Sequence, residues 1–151
     1  MKHVTYDHLS GAKKIPSAIR SEIEQAITAI SVKPAAGAAS KIRAAFLNGI
    51  GESGWPGEVP VCKDTNITVT SVKSDVGLCF QTGNVARIYA DMLKLQTMYI
   101  NSAIKSAVIV VPSYPVAKKL GSNIANSRRL ENELRVFSLA YSVPTLVYSL
   151  E

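Results

Sequence analysis

The 151 residues suffice for one domain, expected over 1–151, whose core needs no disulfide or metal. With 47% apolar and 19% charged residues the chain is globular rather than disordered. No apolar run approaches the roughly 18 residues of a membrane span, and Met1–His8 lacks the apolar core of a signal peptide, so a cytoplasmic protein without a membrane partner is expected.

A net charge of +6 favours an anionic partner, nucleic acid being the commonest. Cys62 and Cys79 have no CxxC spacing and no histidine near them in sequence, which argues for two reduced thiols rather than a zinc site.

In chain order, Met1–Ile15 holds both histidines, His3 and His8, without a ligand at metal-binding spacing; surface or packing roles are expected. Pro16-Ser17 opens a helix with Ser17 as N-cap, and Ile19, Ile23, Ala26, Ile27 and Ile30 form its apolar stripe, with Glu22 and Glu24 outside it. Pro34 breaks the chain. A second helix follows over Ala36–Gly49 with Ala39, Ile42, Phe46 and Ile50 inward and Lys41 and Arg43 off that face. Gly49–Pro60 reads as a loop carrying Trp55 as a lid on the core.

The stretch Thr65–Asn84 reads as a β-hairpin around a turn at Val72–Asp75. Side-chain alternation puts Ile67 and Val69 on one face of the first strand, and Val76, Leu78 and Phe80 on one face of the second. Thr68 and Thr70 then lie across from Gly77, Cys79 and Gln81. Val85, Ile88, Met92, Leu95 and Tyr99 recur at helical spacing, and Ala107–Pro112 is a short continuous apolar run suited to a strand buried on both faces. Ser113–Ser127 reads as a long basic loop, Leu130, Leu134, Phe137 and Tyr141 mark another helix, and Pro144–Tyr148 a last strand. The expected fold is α/β: a mixed central sheet, hairpin plus parallel strands, flanked by helices. Ligands in such sheets gather at the carboxyl ends of the strands, which singles out the Ser113–Ser127 segment.

Two opening helices, a hairpin ending in Phe80-Gln81-Thr82-Gly83-Asn84, a long helix, the apolar strand Val108–Pro112, and Gly121-Ser122-Asn123 ahead of Arg129-Leu130-Glu131-Asn132-Glu133-Leu134 follow one another in order. Over about residues 7–150 this resembles the BglII/BstYI-type restriction endonucleases, which have the PD-(D/E)xK nuclease fold. The resemblance implies an Asp on the first hairpin strand and Glu-x-Gln on the second, holding Mg²⁺ for phosphodiester hydrolysis. Here the Gln is Gln81, the Glu position is Cys79, and the Asp position falls on Thr68 or Thr70. Mg²⁺ takes oxygen ligands, usually including one or two carboxylates, and disfavours sulfur, so loss of both acids is expected to abolish useful Mg²⁺ binding. Asp64, just before the first strand, together with Glu22 or Glu24 of the first helix, could replace them, whereas Asp75 at the turn points away from Gln81.

The resemblance also implies that the residues after the second strand and after the third approach DNA, which map to Gly83, Asn84, Ser122 and Asn123. Lys118, Lys119, Arg128 and Arg129 are the candidate phosphate contacts, and Asn84 also suits a helix N-cap. The favoured expectation is a double-stranded-DNA-binding homodimer that has lost cleavage and needs no cofactor. The alternatives are an active Mg²⁺-dependent endonuclease with relocated carboxylates and a protein-interaction module on a nuclease scaffold.

Overall fold

The computed structural model describes residues 1–151. The elements in order are β1 (His3–His8), α1 (Gly11–Lys14), α2 (Ser17–Ala29), α3 (Ala39–Glu52), β2 (Val59–Pro60), β3 (Thr68–Val69), β4 (Ser71–Lys73), β5 (Val76–Phe80), α4 (Arg87–Ile100), β6 (Ser106–Pro112), α5 (Tyr114–Leu120), α6 (Ser127–Val136) and β7 (Thr145–Leu150). A five-stranded mixed sheet runs β1-β7-β6-β5-β4, with β5, β6 and β7 parallel and the two edge strands antiparallel. The mixed sheet and the three parallel strands match the sequence expectation. The edge strand β1 does not follow from it: in HVTYDH only His8 is buried, and Val4 is 56% exposed.

Each face of the sheet has its own core. On one side Val76, Leu78, Phe80, Val108 and Val110 meet the isoleucines of α2 and Ile42, Phe46 and Ile50 of α3, and the Phe46 and Phe80 rings stack at 4.5 Å. On the other, Cys79, Ala107, Ile109 and Val111 meet Ile88, Met92 and Leu95 of α4 and Leu130 and Leu134 of α6. Every residue of β6 is buried, as a strand covered on both faces must be.

Several local expectations are corrected. The α2 N-cap is Pro16, and Ser17 is already helical and caps nothing. Glu22 and Glu24 are not merely solvated: Glu22 accepts from Trp55 and Lys73 at 2.8 Å, fastening the buried Trp55 over the core, and Glu24 accepts from Tyr148 at 2.9 Å. The basic segment after β6 contains α5, started by the Ser113 hydroxyl accepting from the Val116 amide, with Pro115 in the first turn.

The hairpin also differs. Its two-residue turn is Ser74-Asp75, both at positive φ (51° and 60°), the mirror-image turn that suits strand twist and is usually written Asn-Gly. Asp75 is held there by Lys105, whose amine lies 2.6 Å from its carboxylate. The expected first strand is two pieces: β3 pairs with β2 in a separate ribbon, and β4 pairs with β5. The chain bends at Thr70, so Val69 packs on the α4 side with Cys79, while Ile67 is 56% exposed.

Candidate functional site

The carboxyl ends of β5 and β6 lie side by side, and the segments leaving them are stitched together. The Val85 amide donates to the Asn123 carbonyl at 2.9 Å, and the Ala125 amide to the Gly83 carbonyl at 2.8 Å, around a bridge between Asn84 and Ile124. The two sequence segments singled out above therefore form one surface, with a cavity on either side of the bridge. Asn84 starts the turn into α4, its side-chain oxygen accepting from the Ala86 amide at 2.8 Å; the helix itself begins at Arg87.

The larger cavity, about 610 Å³, is a cleft lined by the end of β5, the Thr68–Thr70 bend, α3 and α4. Gln81 forms its floor and is fixed at both ends. Its amide nitrogen donates to Asp91 at 2.8 Å, and its oxygen accepts from the Gly83 amide at 2.9 Å. Extending the β4–β5 register one step sets Thr70 opposite Cys79. The Thr70 hydroxyl accepts from the Phe80 amide at 3.0 Å, whereas Thr68 lies further out and donates to Glu58 at 3.1 Å. Cys79 does not line the cleft. It is 2% exposed within the α4-side core, and burial pushes its thiol well above the ordinary value.

These residues do not fit a divalent metal. Thr70 and Gln81 offer neutral oxygens already engaged in the chain, and Cys79 offers a buried, protonated sulfur where a hard cation needs an anionic oxygen. Asp64 sits exposed at positive φ (63°) in the turn before β3 and is not among the residues that line the cleft.

Besides Glu58 at its rim, the acid that reaches the cleft is Asp91, on the floor. Its carboxylate is only 9% exposed, accepts from Gln81 and lies 3.5 Å from the Lys94 amine. Burial raises its pKa above the ordinary Asp value, with the Gln81 and Lys94 contacts opposing that shift. The sequence carried a signal for it. Asp91 lies three residues after Ile88 and four before Leu95, so it interrupts the apolar stripe of α4, where an acid needs a reason to be.

Three cations share the cleft with it. Arg43 of α3 donates to the Phe80 carbonyl at 2.6 Å and lies 3.9 Å from Glu58. Arg87 and Lys94 project from the same face of α4 as Asp91, and Arg87 enters no ion pair.

The second cavity, about 490 Å³, is lined by Lys118, Ser122, Asn123, Arg128 and Arg129. The Tyr114 ring gathers two of its cations: the Lys118 amine is 4.9 Å and the Arg128 guanidinium 4.5 Å from the ring centroid. Arg129 is tied into the chain, bonded to Glu133 at 2.7 Å and Tyr89 at 2.8 Å, and those contacts raise its pKa further. Lys119 is exposed at the end of α5 and lies outside the cavity. No three His, Cys, Asp or Glu side chains come together anywhere, and no helix is long and apolar enough to cross a membrane.

Comparison with known proteins agrees with this architecture. No curated protein sequence matches the chain. Among solved structures, the crystal structure of restriction endonuclease BglII complexed with a DNA 16-mer superposes with a TM-score of 0.87 at 13% identity, covering 99% of this chain and 76% of that one. The crystal structure of free BglII superposes with a TM-score of 0.73 at 16% identity, covering 100% and 80%. The profile of the restriction endonuclease BglII/BglIII family matches residues 3–150, and the chain belongs to that family.

Proposed function

We propose that the chain is a cytoplasmic, homodimeric DNA-binding protein that grips duplex DNA and does not cut it. The observation that carries this reading is the exchange at the cleft floor. Where the family resemblance puts two acids, the chain has Thr70, spent on the Phe80 amide, and Cys79, turned into the core, while Arg43, Arg87 and Lys94 line the walls. Removing anionic ligands weakens the hold on a metal and strengthens the hold on a phosphate, because both are Coulomb terms in a partly desolvated site.

The Asn84–Ile124 surface supports the same reading. It presents Asn123 and Ser122 to a base edge, with Lys118 and Arg128 beside them for phosphate. Phosphate-dominated binding has a diagnostic: log affinity falls linearly with log salt concentration, steeply for several contacts. A titration of labelled duplex between low and moderate salt tests it; a salt-insensitive affinity, or none at low salt, counts against it.

Self-association is supported by an apolar strip on the outer faces of α4 and α6. Leu93 (68% exposed) and Phe137 lie there, around a groove of about 190 Å³ between Tyr89, Met92 and Tyr141. A second copy covering this face predicts a dimer mass in light scattering, shifted to monomer by Leu93→Glu.

A second reading is favoured by Asp91: a carboxylate beside Gln81 in the cleft is the relocated acid that an active nuclease of this fold needs, in the place first assigned to Asp64. Nicking of supercoiled plasmid that Asp91→Asn abolishes is its signature.

A further inference from the structure

The cleft floor and its walls are mismatched for a metal-assisted site, and that mismatch has a positive content. Where carboxylates line a site, they repel a phosphodiester until a cation comes between them. With Thr70 and Cys79 at the acid positions this repulsion is reduced to what Asp91 and Glu58 supply. Three cations converge from two helices, Arg43 from α3 and Arg87 and Lys94 from α4, against two carboxylates, Asp91 and Glu58.

Their states differ in a way that matters. Glu58 is exposed at the rim, with 64% of its side chain in water, and touches Arg43 only at 3.9 Å. Asp91 is occupied by Gln81 and Lys94 on the floor. Arg87 is without an ionic partner, and its guanidinium lines the cleft beside the bare backbone of Gly83. Arg43 is held at the cleft wall by its hydrogen bond to the Phe80 carbonyl.

We infer that the cleft is a metal-independent phosphate seat, in which Arg43, Arg87 and Lys94 hold a backbone phosphodiester of DNA with fixed side-chain charge in place of a divalent ion. The inference deepens the DNA-binding reading and rests on it for the identity of the phosphate. Arg87 supplies the fork geometry that matches phosphate oxygens, and Lys94 the point charge.

The experiment compares wild type, Arg87→Gln and Arg87→Gln/Lys94→Gln, after melting curves confirm folding, in two assays. The first is fluorescence anisotropy with a short labelled duplex, once in EDTA and once in Mg²⁺. The second is thermal shift with inorganic pyrophosphate in EDTA. The expected result is wild-type DNA affinity as high in EDTA as in Mg²⁺, about tenfold weaker binding by the double variant with the single variant between, and a salt slope flatter by about one to two units. Pyrophosphate then stabilises wild type and not the double variant. Wild-type binding that collapses in EDTA, or a double variant that binds like wild type in both assays, overturns the seat and leaves DNA binding standing. Wild type that ignores duplex DNA yet is stabilised by pyrophosphate, with the double variant indifferent, keeps the seat and overturns its assignment to DNA.

Discussion

The amide of Gln81 donates to the carboxylate of Asp91 at 2.8 Å, joining the end of β5 to the middle of α4 at the floor of the cleft. The contact is between two buried polar groups, each of which needs the other. Asp91→Ala leaves the Gln81 amide without its acceptor and is expected to cost about 1–3 kcal/mol in chemical denaturation. Asp91→Asn keeps an oxygen there and is expected to be far milder.

The same pair predicts a pH signature. Burial raises the folded-state pKa of Asp91, so between its unfolded and folded values the folded chain holds the extra proton. Stability therefore falls as pH rises through that interval, which begins near the ordinary Asp value of about 3.9, and the cost is constant above it. Asp91→Asn cannot ionise, so its stability relative to wild type is expected to rise across the interval. Denaturation midpoints at stepped pH measure this; a constant difference between the two proteins contradicts it.

Much of this architecture could be read from residue order because the apolar spacings are strong: Ile19 to Ile30, Ile88 to Leu95 and Val108 to Val111 all lie where their periodicity puts them. What stayed hidden has physical reasons. The β1 strand pairs with β7, 137 or more residues away in sequence, and buries little of its own apolar surface. Beside the break at Thr70 the Ser71 hydroxyl donates to the Pro56 carbonyl at 2.6 Å, a contact 15 residues distant that local spacing cannot show. Asp91 is invisible to apolar counting, which skips an acid inside a stripe.

Tyr114 is expected to matter for DNA without touching a base, since it holds Lys118 and Arg128 together against their mutual repulsion. An exposed cation–π contact is worth about 0.5–1 kcal/mol, so Tyr114→Leu should weaken duplex binding about fivefold while Tyr114→Phe, which keeps the ring, binds like wild type. Equal loss in both variants assigns the effect to the hydroxyl or to folding instead.

The two cysteines should differ sharply. Cys62 is exposed and Cys79 buried, with its thiol pushed up by desolvation. A thiol reagent is expected to titrate one group in the native chain and two in denaturant. Fast labelling of Cys79 in the native state contradicts its place in the core.

Gly11 is where α1 meets the last strand: a Cβ there lies 2.3 Å from the Thr145 carbonyl carbon, backbone that has no flexible end to yield. Gly11→Ala is expected to cost about 1–3 kcal/mol by overpacking, read as a lowered melting temperature.

The most direct measurement puts binding and cleavage in one tube. One preparation is assayed for retardation of labelled duplex in EDTA and for conversion of supercoiled plasmid with Mg²⁺ and then Mn²⁺ at high protein concentration. The account predicts a retarded duplex and a plasmid still supercoiled with either metal. Nicked or linear plasmid that disappears with Asp91→Asn contradicts it, and places a working carboxylate beside Gln81.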